Sequence, residues 1–251
     1  MQHKQSSIQS VHKAISKKRK VKQLLAIFFT VFLTLALCLS MVWFSSVFKV
    51  KSITVDKIQS IASLQGINSL KNENMLMLNE QEVAIKIYKA NPYVKNVVVK
   101  KEFPSTLHLS IQLYIPVLYL QVNQGFFLLA GDGRILSKSK DIQMKLPVIH
   151  YYQKFNSDAY KTAEKMNFKD IVAALFFLKT AQEVGFNVNS IDITGFNMIA
   201  LNTNDLKILF TIDKSQTDQA YQLGRVIKQI RMQKKQLKTI DLRFDRVIIE
   251  S

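Results

Sequence analysis

The chain has 251 residues, enough for one large or two small domains with cores of their own. At 48% hydrophobic and 21% charged it is neither a disordered chain nor a many-span transporter, and seven Gly with four Pro exclude long flexible linkers. The formal net charge is +17, and a single cysteine, Cys38, excludes a disulfide framework and thiolate metal sites.

Seven basic residues (Lys4, Lys13, Lys17, Lys18, Arg19, Lys20 and Lys22) and no acid stand in 1–22. An uncharged run dominated by Leu, Phe, Ala and Val follows at once over 24–47. A helix of that length at ~1.5 Å per residue reaches about 36 Å, enough for a ~30 Å hydrocarbon core. The basic flank then reads as a topology signal rather than a nucleic-acid patch. A cleaved leader would have a shorter apolar core, and bulky Met41, Val42, Trp43 and Phe44 stand before Ser45 and Ser46. The sequence therefore predicts a cytoplasmic segment over 1–22, an N-terminal transmembrane helix over 23–48, and a single-pass type II protein with its C-terminal bulk exported.

Beyond it, 49–56 reads as a strand and 58–64 as a helical turn or two. Asn79 is a good N-cap, with Glu82 three residues on, and Val83, Ile87 and Ala90 line one face of the helix that follows. That helix stops at Asn91 and Pro92. Two strands come next, 94–101 and 107–113, the second alternating Leu107, Leu109, Ile111 and Leu113 with polar residues. The order is β-α-α-β-β, a small sheet with helices on one face.

The runs FKVKSITV, NENMLMLN and NPYVKNVVVKKEFPSTLHLSI closely resemble the POTRA domain of the bacterial cell-division proteins FtsQ and DivIB. The resemblance implies a POTRA domain over 49–117 and a second exported domain over 118–251. In that second part, 117–122 and 126–130 form a hairpin signal, and Gly131, Asp132 and Gly133 a tight turn. The stretch 146–149 reads as a short edge segment. Phe168, Ile171, Val172, Leu175, Leu178 and Val184 mark an amphipathic helix ending at Gly185. Strands over 188–193, 198–201 and 206–212 precede a helix over 217–235, with Ala220, Leu223, Ile227 and Ile230 inward and basic last turns. The ending IDLRF…RVII again resembles FtsQ/DivIB. The fold class is thus α+β: the transmembrane helix, the POTRA domain, and a second α+β domain with a mainly antiparallel sheet.

No catalytic set emerges. The histidines His3, His12, His108 and His150 do not stand at metal-ligand spacing, and no nucleophile or phosphate-loop motif is present. Asp132, Asp192, Asp213 and Asp241 sit beside turns or strand ends. The expectation is a non-enzyme with no cofactor, no metal, no nucleic acid and no small-molecule substrate. A terminal strand over 246–249, at a sheet edge, would offer main-chain groups to an incoming strand. The resemblance implies a divisome scaffold at the division septum, whose partners are of the FtsB/DivIC and FtsL type. It carries partner binding over to Phe244, Arg246, Val247, Ile248 and Ile249. The competing class is a POTRA-containing envelope chaperone or translocation receptor.

Overall fold

The computed structural model describes residues 25, 27–37, 40, 46–56, 64–195, 197–233 and 237–250. It corrects the fold class at the N-terminus, since no helix among the described residues is long and apolar enough to cross a membrane. A span needs an apolar run and helical backbone together over its length; among the described residues of 23–48, positions 25, 27–37 and 40 are α-helical. The rest of the fold class is α+β with mixed sheets.

By contacts the chain divides into two compact units, one made of 1–59, 66–83 and 98–110, the other of 60–65, 84–97 and 111–251. A three-stranded sheet has the order β1-β3-β2, from β1 (Ser52–Val55), β2 (Val94–Glu102) and β3 (Thr106–Leu113). β1 runs parallel to β3, with Ile53 opposite Leu107 and Val55 opposite Leu109. Parallel pairing needs a crossover, and here it contains helix α1 (Glu80–Ala90). The Asn79 carboxamide caps α1 as expected, accepting from the Gln81 and Glu82 amides at 2.9 and 3.5 Å. The helical turns expected at 58–64 fall mostly on 57–63, outside the described residues. In the first unit Val50, Leu70, Met75, Leu78, Val83, Val99, Leu107 and Leu109 are buried. Its exposed face carries a polar ladder across β1 and β3: Ser52 to Thr106 at 2.7 Å, Thr54 to His108 at 2.9 Å, and His108 Nε2 to Asp56 at 3.1 Å.

The second unit holds nine strands in one sheet, order β12-β11-β10-β9-β8-β7-β4-β5-β6. Its strands are β4 (Pro116–Val122), β5 (Gly125–Ala130), β6 (Ile135–Ser139), β7 (Val148–Tyr151), β8 (Ser190–Ile193), β9 (Met198–Asn202), β10 (Lys207–Thr211), β11 (Thr239–Asp241) and β12 (Ile248–Glu250). β4 with β7, β7 with β8, and β10 with β11 are parallel, and the other pairs antiparallel. Each parallel step after β7 is spanned by a helix: α2 (Lys169–Glu183) between β7 and β8, and α3 (Gln216–Gln233) between β10 and β11. The segment expected at an edge over 146–149 is instead interior, because β7 pairs on both sides. Pro147 is tolerated beside it since only its carbonyl is used, accepting from the Tyr119 amide at 2.8 Å.

Alternation along the strands sends Leu118, Leu120, Phe127, Leu129, Ile191, Ile193, Ile208 and Phe210 to one face, where α2 and α3 cover them with Phe177, Leu178, Leu223 and Ile227. Phe177 and Phe210 stack at 4.0 Å and 13°, neither with exposed surface. On the opposite face a smaller cluster gathers Tyr119, Leu128, Ala130 and Leu136, with Tyr93 and Tyr114 packed against it. Beside it the Arg134 guanidinium lies 5.1 Å from the Tyr114 ring centroid. It donates to the Tyr88 hydroxyl and the Ala163 carbonyl, both at 2.8 Å. Gly125, at φ +120°, turns the β4–β5 hairpin so tightly that a Cβ there would run into the Ser139 carbonyl.

Removing one ring of the stacked pair leaves a cavity between α2 and β10. Phe177→Ala is expected to cost about 3–5 kcal/mol, read as a lowered urea midpoint with an unchanged slope.

Candidate functional site

The residues singled out at 244–249 lie at one end of the nine-stranded sheet. β11 carries buried Ile240 into the core, and Leu242 follows it there, so the strand is fixed to the sheet from inside. The Leu242 amide donates to the Leu209 carbonyl at 2.9 Å, which turns the main-chain groups of even-numbered residues toward β10. Thr239 and Asp241 therefore face the other way, and their partners are Glu250 and Ile248 of β12. By the same alternation the N–H and C=O of Ile249 point outward, away from β11. β12 is the last strand in the sheet order, and all three of its residues are exposed.

The loop joining the two strands is held by charge. Arg243 grips Asp241 with a two-pronged fork, Nε to Oδ1 at 2.9 Å and Nη2 to Oδ2 at 2.6 Å. The Arg243 amide also donates to Oδ1 at 3.0 Å. Burial alone would raise the Asp241 carboxyl, but the hydrogen bonds from Arg243 outweigh it and hold the group below the ordinary carboxylate range. Lys214 meets Asp245 at 2.8 Å, but Asp245 is 98% exposed. Water screens such an exposed pair, so it holds little; the Arg243 fork, on a largely buried carboxylate, does the holding.

The five residues singled out from the sequence meet here in different roles. Ile248 and Ile249 lie in β12, with 47% and 46% of their surface exposed. Val247 is half-buried and packs on the helix-covered core. Phe244 is exposed, with the Arg243 guanidinium carbon 5.5 Å from its ring centroid, and Arg246 is exposed. Alongside them runs a groove of about 610 Å³ between α3 and the 245–247 segment, lined by Gln222, Arg225, Val226, Lys228, Gln229, Asp245 and Val247. Sequence periodicity marks the inward face of this helix and its basic last turns, and points to no groove beside it. The three-residue spacing of Arg225 and Lys228 was the available signal for one polar stripe.

Among the other singled-out residues, Asp132, Asp192 and His150 have structural partners, while His3 and His12 lie outside the described residues. Asp132 pairs with Lys165 at 2.9 Å and accepts from the Arg134 amide, closing the Gly131–Gly133 turn. Asp192 accepts from the Asn202 carboxamide at 2.7 Å, and His150 meets Gln121 at 2.7 Å. Among the described residues no group of three or more His, Cys, Asp or Glu could hold a metal ion.

Residues 47–112, the segment that contains the three-stranded sheet and α1, match the family profile "POTRA domain, FtsQ-type". This segment is similar to the FtsQ-type POTRA domain. Among curated proteins the chain is similar to two named "Cell division protein DivIB", from Clostridium botulinum strains Hall and Loch Maree. Each is 27% identical over 156 residues, covering 60% of this chain and 59% of the relative. A third protein of that name, from Clostridium tetani, is 24% identical over 173 residues, covering 66% of this chain and 65% of its own length. The chain thus spans about 59% of the length of the C. botulinum relatives it matches. The resemblance to the FtsQ/DivIB family, read from three sequence runs, is borne out. The candidate edge at 244–249 lies outside the POTRA domain, in the part of the chain beyond the profile match.

The depressed Asp241 carboxyl stabilises the folded unit at pH values above its unfolded-state value, and that stabilisation is lost as pH falls through the lower folded-state value. The stability gap between the wild type and Asp241→Asn, from urea midpoints, is expected to be largest at neutral pH. It should shrink steadily below about pH 4. A gap that stays constant with pH would show that Arg243 does not act through the ionised carboxylate.

Proposed function

We propose that the protein is a non-enzymatic scaffold of the bacterial divisome, acting at the division septum through the open edge of its second unit. The observation that carries this reading is the outward Ile249 main chain on β12, with the α3 groove beside it. An exposed edge is a liability in water unless something pairs with it. Here the edge is exposed, carries two isoleucines beside Glu250 and is three residues long, with a groove available to receive what flanks an added strand. Strand addition supplies affinity through main-chain bonds and specificity through neighbouring pockets. The curated relatives' name, cell division protein, supports the septal role.

The incoming segments come from small division proteins of the FtsB/DivIC type, held with FtsL. Phe244, Ile248 and Ile249 supply the apolar contacts, Val247 supports the strand from beneath, and Arg246 stands at the rim. Arg225 and Lys228 make the groove basic, so the flank of the added strand is acidic. The division of the exported part into modules at 117/118 belongs to the same reading. The first recruits or orients, and the second binds through β12.

Proline separates pairing from folding, because the two isoleucines face opposite ways in the ladder. Ile249→Pro removes an outward N–H and is expected to weaken co-purification of the FtsB/DivIC-type partner by about tenfold or more, ~1.4 kcal/mol, with the urea midpoint little changed. Ile248→Pro breaks the β11–β12 pair itself and lowers stability as well. Wild-type partner recovery and wild-type septal fluorescence with Ile249→Pro would remove the proposal. Reversing charge with Arg225→Glu and Lys228→Glu together should slow association and flatten its dependence on salt.

A further inference from the structure

Within β12 the residue whose main-chain groups turn away from β11 is Ile249, the middle one of three. A strand whose outward groups sit on its central residue can pair with itself. Under a two-fold axis through that residue, an antiparallel copy sets Ile249 opposite Ile249, and the two exchange both main-chain bonds. The side chains agree with this register. Ile249 shares a face with its partner Ile240, on the core side of the sheet, so two half-exposed Ile249 side chains cover one another there. On the other face Ile248 meets Glu250 of the copy, and Glu250 meets Ile248 of the copy. Like charges directly opposite would penalise the pairing, and none arise. A register centred on Ile248 instead needs Val247, which lies outside the strand, packs on the core and follows the bend at 243–246.

We propose that β12 pairs with β12 of a second copy of this chain, antiparallel and centred on Ile249, and that this pairing closes the edge until a partner strand displaces it. The displacement rests on the function proposed above; the self-pairing does not. Three residues from each copy bury far less than the ~1,000 Å² of a stable interface, so the dimer is weak and readily exchanged. Both copies also bring Arg225 and Lys228 to the same side of the joined sheet. Pairing between copies therefore tightens as salt rises, whereas capture of an acidic flank weakens.

Sedimentation of the full-length chain over a range of concentrations reads the pairing, with an expected Kd between about 1 μM and 1 mM. Ile248→Lys should tighten the dimer several-fold, because the new charge faces Glu250 of the copy at two symmetry-related places. Adding Glu250→Lys to the same chain should loosen it below the wild type, while Glu250→Lys alone changes little. The new charge also lies opposite Asp241 of its own chain, but that attraction survives Glu250→Lys and does not produce the reversal. Association through any other part of the chain does not follow this pattern of signs. Each variant is checked for native near-ultraviolet circular dichroism, and the salt series on the wild type needs no variant. No dimer below about 1 mM, loosening by Ile248→Lys alone, absence of the reversal, or a dimer that weakens with salt would each overturn the self-pairing. Added FtsB/DivIC-type partner should dissolve the dimer, and a dimer that persists with the partner bound would overturn the displacement. Partner recovery with Ile249→Pro tests the partner reading separately, so failure of that reading leaves the sedimentation result standing, and the reverse.

Discussion

A β-sheet that does not close into a barrel must end twice, and each end presents main-chain groups that need partners. The nine-stranded sheet answers the requirement differently at its two ends. At β6 the chain covers its own edge. The Ile135 amide donates to the Glu164 carbonyl and the Ala163 amide to the Ile135 carbonyl, both at 2.8 Å. Arg134 ties the same segment down through the Ala163 carbonyl. At β12 no described segment does this, and the strand is exposed throughout. The asymmetry, more than any single side chain, distinguishes the β12 end of the sheet.

Core and edge are linked through β11. Burial of Ile240 and Leu242 under α3 fixes the direction of β11, and the ladder then transmits that direction to β12. The energies are unequal along this chain. A buried side chain of this size contributes roughly 1.5–3 kcal/mol, whereas the exposed residues of β12, with Ile248 and Ile249 about half covered, contribute less burial of their own. β12 therefore borrows its order from β11 and from the Arg243–Asp241 fork, which suits an element that must be firm in register yet open on one side.

Much of this was legible in the sequence. Alternation in 107–113 marked β3, the Asn79–Glu82 pair marked the start of α1, and the apolar ending marked a terminal strand. β6 was not legible: Ile135 and Leu136 are both buried but on opposite faces, and Ser137, Lys138 and Ser139 then dilute any pattern. β7 was misplaced to an edge because four residues after a proline look peripheral, although parallel pairing on both sides makes the strand central. Phe168 and Val172 carry the helical period of a core face yet are 38% and 44% exposed, since the sheet is covered by the Ile171 and Leu175 side of α2. For the N-terminal run, apolar composition predicts a span, and among the described residues no helix is long and apolar enough to cross a membrane. The α3 groove has no sequence signature beyond two basic residues, because it exists only where the helix passes the 245–247 segment.

The loop between β11 and β12 has a further significance. Side chains and main-chain groups alternate along a strand with a period of two, so lengthening or shortening the connection by one residue would invert β12. The outward groups of Ile249 would turn inward and those of Ile248 and Glu250 outward. The fork from Arg243 to Asp241 thus acts as a phase-setter: it decides which parity of residue faces outward on β12. Under the proposed strand addition a partner depends on a loop it never touches, and insertions there are less tolerable than the exposure of Asp245 suggests.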